Sequence, residues 1–535
     1  MSPGLLRRHA GLAMFLAIVA PLAVAFCWHD VIASVGDDSV SYIAMARHLS
    51  PFSSDTLAEP WLRYYSHFPP LFPLLLALTG GAWNFFAAHM LVAACAVLAA
   101  TMVYAYGVTR FGTPGAGLLL AIVFVLLPTA WISVTGILSE PLYLALSLAA
   151  LAWHDKREPG GLVVLSLLFA AAYMTRVAGV ALLAAYAAHL AVRAVSRRER
   201  PALRSLLPIA IPVVLQLAWM ALRPPLESRG YQMDLRSILG HWIDEPARVA
   251  TKSWQALSGG WISSFTGDSE EPFGLRVLFG VIAAMGLAGA IRGALANRLD
   301  SWYVLASLAM LVLWVFSEDN QRRLLYPLLP LMLVHAAEAL AALVQMVRDS
   351  TRVKMGVVAG AAFVIVLSAP ATFLVFQKSL DRDPFISGFG YSPAAMTDYY
   401  TTVNIKGAHA LAWRHAAVLA GLESIDRATP PGSRVMWVRP EYVAILGRRE
   451  STPWYHSWDR ATLAREIRRS GATHVVAARL FKSDLSGADG DAYAAFAIDT
   501  PSYLRTILVV PGPEPGVPEF VLLEVDAKEL EQVLR

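Results

Sequence analysis

A chain of 535 residues that is 56% hydrophobic and 16% charged, with a mean hydropathy of +0.51, falls outside soluble globular proteins, in which about a quarter of residues are charged. Its formal net charge of +4 does not read as a nucleic-acid surface, because the basic residues gather in short loops between apolar runs, the pattern of membrane topology. The two cysteines, Cys27 and Cys95, lie inside apolar runs, which argues against a disulfide framework or a cysteine-based metal site.

Up to about residue 377 the apolar runs are long enough to cross roughly 30 Å of hydrocarbon. They predict about eleven transmembrane helices, near 10–28, 82–106, 114–131, 138–153, 161–175, 177–192, 205–222, 274–293, 301–316, 323–347 and 355–377. The first follows Arg7 and Arg8 and lacks a small-residue cleavage site, so it is expected to be a retained helix rather than a removed signal peptide. After it comes an outside loop, 29–81, with Gly36-Asp37-Asp38-Ser39 leading into a short helix over Ser39–Leu49. Asp38 stands near the N-cap of that helix, and capping alone would explain it. Farther on, Trp61, Arg63, Tyr64, Tyr65 and His67 precede Pro69-Pro70-Leu71. Trp and Tyr at this level serve as interfacial anchors as readily as binding groups. Leu71–Thr79 is too short to span and is expected to dip into the interface.

Glu140, in Ser139-Glu140-Pro141-Leu142, falls at the outer end of the fourth span. An ionisable group there either faces a cavity or is a first-turn acid favoured by the helix dipole. Residues 161–192 carry one interior charge, Arg176. Read as one helix they would be about 48 Å long, so the chain is split at Arg176. The 223–273 loop carries Trp242, Trp254 and Trp261, which with the stretch Tyr391–Tyr400 either line an acceptor groove or anchor at the interface. Arg322 and Arg323 precede Leu324-Leu325-Tyr326-Pro327 at the outer end of the tenth span, where cations also snorkel to headgroups.

Alternate loops hold the Lys and Arg: Arg110; Lys156 and Arg157; Arg197, Arg198, Arg200 and Arg204; Arg292 and Arg298; Arg348, Arg352 and Lys354. This places the N-terminus in the cytoplasm, and Asp37, Asp38, Glu140, Arg176, Arg322 and Arg323 together on the opposite face. Residues 378–535 return to soluble composition and predict an α/β domain on that outer, periplasmic side. Helices are expected at Ala410–Ala428 and Thr462–Ser470, and strands at Arg434–Val438, His474–Ala478, Leu504–Val510 and Phe520–Val525. A Walker loop, G-x-G-x-x-G and H-E-x-x-H are all absent, which disfavours an energy-coupled pump.

Taken in order, these motifs resemble the polyprenyl-phosphate-dependent glycosyltransferases of the GT-C superfamily, among them the ArnT-like, PMT-like and RgtA/B/C/D-like enzymes. The resemblance is carried over residues 1 to about 350 by Asp37-Asp38 with Tyr42 and Ala46-Arg47, His67-Phe68-Pro69-Pro70-Leu71, Ser139-Glu140-Pro141-Leu142, Thr175-Arg176, and Arg322-Arg323-Leu324-Leu325-Tyr326-Pro327. Ser39 stands where many relatives have a second acid, and Phe68 is inserted before the Pro-Pro pair. The resemblance implies inverting transfer of a sugar from a polyprenyl-phosphate donor to a glycan, lipid or protein acceptor at the periplasmic face of the inner membrane. In that reading Asp38 is the base, while Asp37 and Glu140 position the acceptor or a cation. Arg322, Arg323 and Arg176 hold the donor phosphate, and Tyr42, His67, Arg63 and Tyr326 contact substrate. A divalent cation held by Asp38 and Glu140 stays open. The rival readings are a lipid or solute transporter, which would favour internal repeats and mid-membrane charges, and a non-catalytic scaffold.

Overall fold

A computed structural model describes residues 9–33, 38–53, 55–57, 60–61, 68–156, 161–198, 202–223, 231–267, 272–314, 318–345, 350–382, 391–400, 405–453, 460–478 and 500–535. The first part of the chain is helical: α1 (Ala10–Phe26), α2 (Ser39–Leu49), α3 (Leu71–Leu78), α4 (Phe85–Phe111), α5 (Pro114–Val125), α6 (Pro128–Ile132), α7 (Glu140–Lys156), α8 (Gly161–Thr175), α9 (Val180–Arg197) and α10 (Leu207–Leu222). There follow α11 (Tyr231–Asp244), α12 (Pro246–Thr266), α13 (Phe273–Leu295), α14 (Leu299–Leu313), α15 (Glu318–Leu325), α16 (Leu329–Gln345) and α17 (Ser350–Ser379).

Local chemistry sets several of these boundaries. Asn84 caps α4 by accepting from the Ala87 N–H at 3.2 Å, and Gly112 ends it in the left-handed region at φ 73°. Thr113 then caps α5, with Pro114 in its first turn, so the α4–α5 turn is written into consecutive residues. The expected span 114–131 is broken in two. Leu127, ahead of Pro128, is extended at ψ 134°, as a residue preceding proline prefers. Arg176 is likewise extended at φ −147° and ψ 140°, which separates α8 from α9. The 223–273 segment, expected as a loop, contains α11 and α12.

Six helical stretches among the described residues are long and apolar enough to cross a bilayer: Phe85–Phe111, Val177–Ser196, Leu203–Leu222, Phe273–Leu295, Asn320–Val344 and Gly356–Ser379. Four shorter helices, Ala10–Phe26, Pro114–Val125, Gly161–Thr175 and Leu299–Leu313, are also apolar. Val214 and Leu217 on α10, Val277 and Val281 on α13, and Val366 and Phe373 on α17 face outward, where only lipid makes such exposure cheap. The protein is a multi-pass membrane protein.

Inside the bundle α4 packs on α5 and α7, α13 on α16, α8 on α10, and α9 on α14. The α13–α16 contact is close enough to need glycine. A Cβ on Gly289 would collide with the backbone carbonyl of His335, and one on Gly286 would lie 2.8 Å from the Met332 side chain. Gly289→Ala should therefore push the two helices apart and cost about 1–3 kcal/mol. Thermal unfolding in detergent is the measure, and an unchanged midpoint would contradict this packing.

Arg110, Arg298, Asp300 and Glu338 close the bundle at the end carrying the basic loops. Arg110 and Arg298 each reach Glu338 at 2.6 Å, Arg298 reaches Asp300 at 2.6 Å, and the Tyr106 hydroxyl donates to Asp300 at 2.7 Å. Read from sequence as topology markers, Arg110 and Arg298 thus also staple α4, α14 and α16.

The C-terminal part comprises α18 (Ile405–Ala428), β1 (Arg434–Trp437), α19 (Pro440–Ile445), β2 (Glu450–Pro453), α20 (Arg460–Ser470), β3 (His474–Ala478), β4 (Leu504–Pro511), β5 (Pro518–Val525) and α21 (Ala527–Leu534). The sheet order is β2-β1-β3-β5-β4. β1 runs parallel to β2 and β3, whereas β5 runs antiparallel to β3 and β4. Alternation along β5 sends Val521 and Leu523 into a core with Leu463 and Ile467 of α20. Phe520 and Leu522 point to the other side, where the Phe520 ring lies against Gly421 of α18. The short polar strand β2 and the helices α19 and α21 were not anticipated from sequence. This domain touches the membrane module: α19 packs on α2, and the Trp61 indole donates to the Ser451 hydroxyl at 2.8 Å.

Candidate active site

Four charged side chains far apart in sequence meet at one end of the bundle. Asp38 is the N-cap residue of α2, Glu140 opens α7, Arg176 is the extended residue after α8, and Arg323 lies on α15. Each stands at or beside a helix terminus, which is how separate segments deliver polar groups to one level of a membrane bundle.

Arg323 holds both acids. Its Nη2 is 2.8 Å from Asp38 Oδ2 and 2.8 Å from Glu140 Oε1, and its Nε donates to Glu140 Oε1 at 2.9 Å. Arg176 pairs with the other oxygen, Glu140 Oε2, at 2.8 Å. Arg176 also donates to the Ser139 hydroxyl at 3.3 Å, and that hydroxyl is hydrogen-bonded to the Tyr42 hydroxyl at 2.9 Å. The Ile137 N–H donates to Ser39 Oγ at 3.2 Å, so the loops carrying the two acids are cross-linked directly.

Among the described residues two carboxylates pair with two guanidiniums, and such pairing is the condition under which charges are tolerated away from water. Their exposures differ in a way that matters for chemistry. The Glu140 side chain is 1% exposed and Arg176 13%, while Asp38 is 31% and Arg323 20%. Glu140 and Arg176 form the buried floor, and Asp38 and Arg323 form the accessible rim. Although Asp38 occupies the N-cap position, its side chain makes no capping hydrogen bond. Capping alone does not account for it.

Other residues singled out by sequence fall into place differently. Arg322 is buried, and a Cβ on Gly260 of α12 would lie 2.8 Å from its backbone nitrogen. It belongs to the α12–α15 contact. Tyr42 is buried against Phe68 and Phe72, at ring separations of 5.3 and 5.2 Å. Tyr326 is buried 5.5 Å from the Phe124 ring. Tyr42 supports the charged group through its hydrogen bond to Ser139, and Tyr326 packs behind it. Asp37, Arg63 and His67 lie outside the described residues. Of the loop tryptophans, Trp261 is buried and donates to the Phe279 carbonyl at 2.8 Å, Trp242 donates to the Leu313 carbonyl at 2.9 Å, and Trp254 is exposed. Ser139 was quoted in a motif but given no role, and its position just before Glu140 was the available signal.

The donor set does not favour a metal. Among the described residues no three His, Cys, Asp or Glu side chains gather as ligands. Both oxygens of Glu140 and one of Asp38 already face guanidinium groups. No step below is routed through a cation.

The chain aligns with ArnT from Cupriavidus metallidurans bound to undecaprenyl phosphate over 97% of this chain and 99% of that one, with a TM-score of 0.51 and 14% identity. The apo form of the same protein gives the same figures. An oligosaccharyltransferase from Archaeoglobus fulgidus, tethered to an acceptor peptide, aligns over 88% of this chain and 69% of that one, with a TM-score of 0.47 and 12% identity. No family model matches the chain, and no curated protein does. The near-complete mutual coverage shows that this chain shares the fold of that protein over almost its whole length.

Proposed function

We propose that the protein is an inverting glycosyltransferase that moves a sugar from a polyprenyl-phosphate carrier to an envelope glycan, lipid or protein at the periplasmic face of the inner membrane. The observation that carries this reading is the convergence of Asp38 and Glu140 on Arg323, with Arg176 closing the group from below. The fold shared with a protein solved with undecaprenyl phosphate bound supports it.

The chemistry needs a base for the acceptor hydroxyl and cationic support for the phosphate. A strong general acid is unnecessary, because the leaving group is a stabilised phosphate, unlike the sugar oxygen that a glycosidase must protonate. The acceptor oxygen forms a bond to the anomeric carbon as the bond from that carbon to the phosphate oxygen breaks. The electron pair leaves on the carrier phosphate, and the acceptor proton passes to Asp38. A single displacement of this kind inverts the anomeric centre.

Arg323 is the rim cation, and its planar fork suits phosphate oxygens. A donor phosphate competing for Arg323 would loosen its hold on Asp38 and leave that carboxylate better able to accept a proton. Glu140, held on both oxygens, keeps Arg323 and Arg176 in place. Asp37, Arg63 and His67 complete the acceptor and donor surroundings in this reading. Arg322, beside Arg323 on α15, is assigned with it to the donor phosphate in this reading.

The test is turnover of a radiolabelled polyprenyl-phosphate sugar pool by membranes containing the protein, beside membranes lacking it. Consumption of the labelled lipid with release of unglycosylated carrier phosphate is the expected result. Movement of intact donor between leaflets without consumption would favour the transporter alternative.

A further inference from the structure

A cavity of about 480 Å³ opens on the lipid-facing side of the bundle, between α1, α5 and α17. Along α1 it is lined by Gly11, Met14, Ile18 and Leu22, a row at helical spacing, and Met14 and Ile18 are exposed. Leu118, Ile122 and Val125 of α5 form the facing wall. At one end the two helices close together, where a Cβ on Gly11 would lie 3.1 Å from the Leu118 side chain. At the other end stand Trp131 and Phe376, with ring centroids 5.2 Å apart. The row on α1 continues one turn farther to Ala25, whose carbonyl accepts from Arg382 Nη2 at 2.7 Å. Arg382 follows the end of α17 by three residues and is exposed. Among the described residues it makes this one hydrogen bond and no ion pair with a carboxylate. The neighbouring Asp381 is taken up by Tyr399 and His409.

We propose that this groove binds one hydrocarbon chain of an anionic phospholipid, with the lipid phosphate resting on Arg382. From Gly11 to Leu22 the groove runs about 16 Å at 1.5 Å per residue, near half of the roughly 30 Å hydrocarbon core, so it fits a chain from one leaflet. A guanidinium with open donors just beyond a membrane helix, one turn past the groove, binds phosphate oxygens in pairs. The occupant is distinct from the sugar carrier, because α5 stands between the groove and the charged group. Ile122 and Val125 face the groove, whereas Phe124 turns to the opposite side, buried with its ring 5.5 Å from that of Tyr326. A chain seated here fills the seam between α1 and α17 and stabilises the pairing of their ends. The assignment needs only the membrane fold and does not rest on the transferase reading.

The test uses the full-length protein in detergent, with phosphatidylglycerol as the probe and diacylglycerol as its neutral control. Native mass spectrometry should show one phosphatidylglycerol retained per chain. The unfolding midpoint should rise with added phosphatidylglycerol and not with diacylglycerol, as it does for a ligand that binds only the folded state. Arg382→Gln removes the charge but keeps an N–H for the Ala25 carbonyl. It should weaken phosphatidylglycerol binding about tenfold, with the lipid-free midpoint unchanged. Ile122→Trp fills the groove and should abolish retention with Arg382 still in place. This second variant decides the matter if Arg382→Gln fails to accumulate. Equal retention by wild type and both variants, or equal stabilisation by diacylglycerol, would overturn the assignment. So would displacement of phosphatidylglycerol by polyprenyl phosphate whose own binding is lost in Ile122→Trp, which would make the groove a carrier site. A dimer that Ile122→Trp disperses would overturn it as well, by placing a second copy of the chain on this face.

Discussion

Replacing Asp38 with asparagine should lower sugar transfer by about 10²–10⁴-fold, the range lost when a positioned general base is removed, with little change in the amount of folded protein. The asparagine is nearly isosteric and still offers Arg323 an oxygen, but it cannot take the acceptor proton. Because the Asp38 side chain is 31% exposed, its ion pair is screened by solvent and contributes only about 0–1 kcal/mol to stability. The predicted signature is a large drop in kcat with an unchanged unfolding midpoint. Transfer within about twofold of wild type would remove Asp38 from the role of base.

Glu140→Gln should fail differently, losing both activity and stability. The Glu140 carboxylate is buried between two guanidiniums, and neutralising it removes the charge that Arg176 and Arg323 both face. Removing one member of a buried ion pair costs about 3–5 kcal/mol, because the remaining charge is left uncompensated away from water. Transfer is lost as well, since Arg323 no longer has a fixed anchor. Thermal unfolding and transfer assays on the same detergent preparation separate the two substitutions. A Glu140→Gln protein that melts like wild type would show that this group is better hydrated than its burial indicates. Glu140→Asp keeps the charge but shortens the reach, and is expected to retain more stability than the glutamine variant.

Glu140 was legible in sequence because an ionisable residue at the end of an apolar run must either reach water or find a partner. Asp38 was marked by its place before a short helix and Arg176 as the single charge inside 161–192, and the relation among the three stayed open. Sequence alone could not say that one arginine would serve both acids. Gly260, by its missing side chain, lets α12 approach the Arg322 backbone closely. Tyr42 and Tyr326 were marked as substrate contacts on motif position alone, whereas neighbouring aromatic rings bury both.

The positions of the helices were determined by the sequence itself, since each apolar run has only lipid or other helices to cover it and a backbone that must satisfy its own hydrogen bonds. The break at Pro128 follows the same local logic, proline removing a donor and holding the residue before it extended. The short strand β2 and the helices α11 and α12 were hidden because their polar, mixed composition takes its stability from neighbours rather than from a periodic pattern. Only the tertiary structure decided which charges share a site, because a sequence orders residues along one line while Coulomb attraction acts across space. Asp38, Glu140, Arg176 and Arg323 become a single ion-paired group when the ends of α2, α7, α8 and α15 are brought to one level.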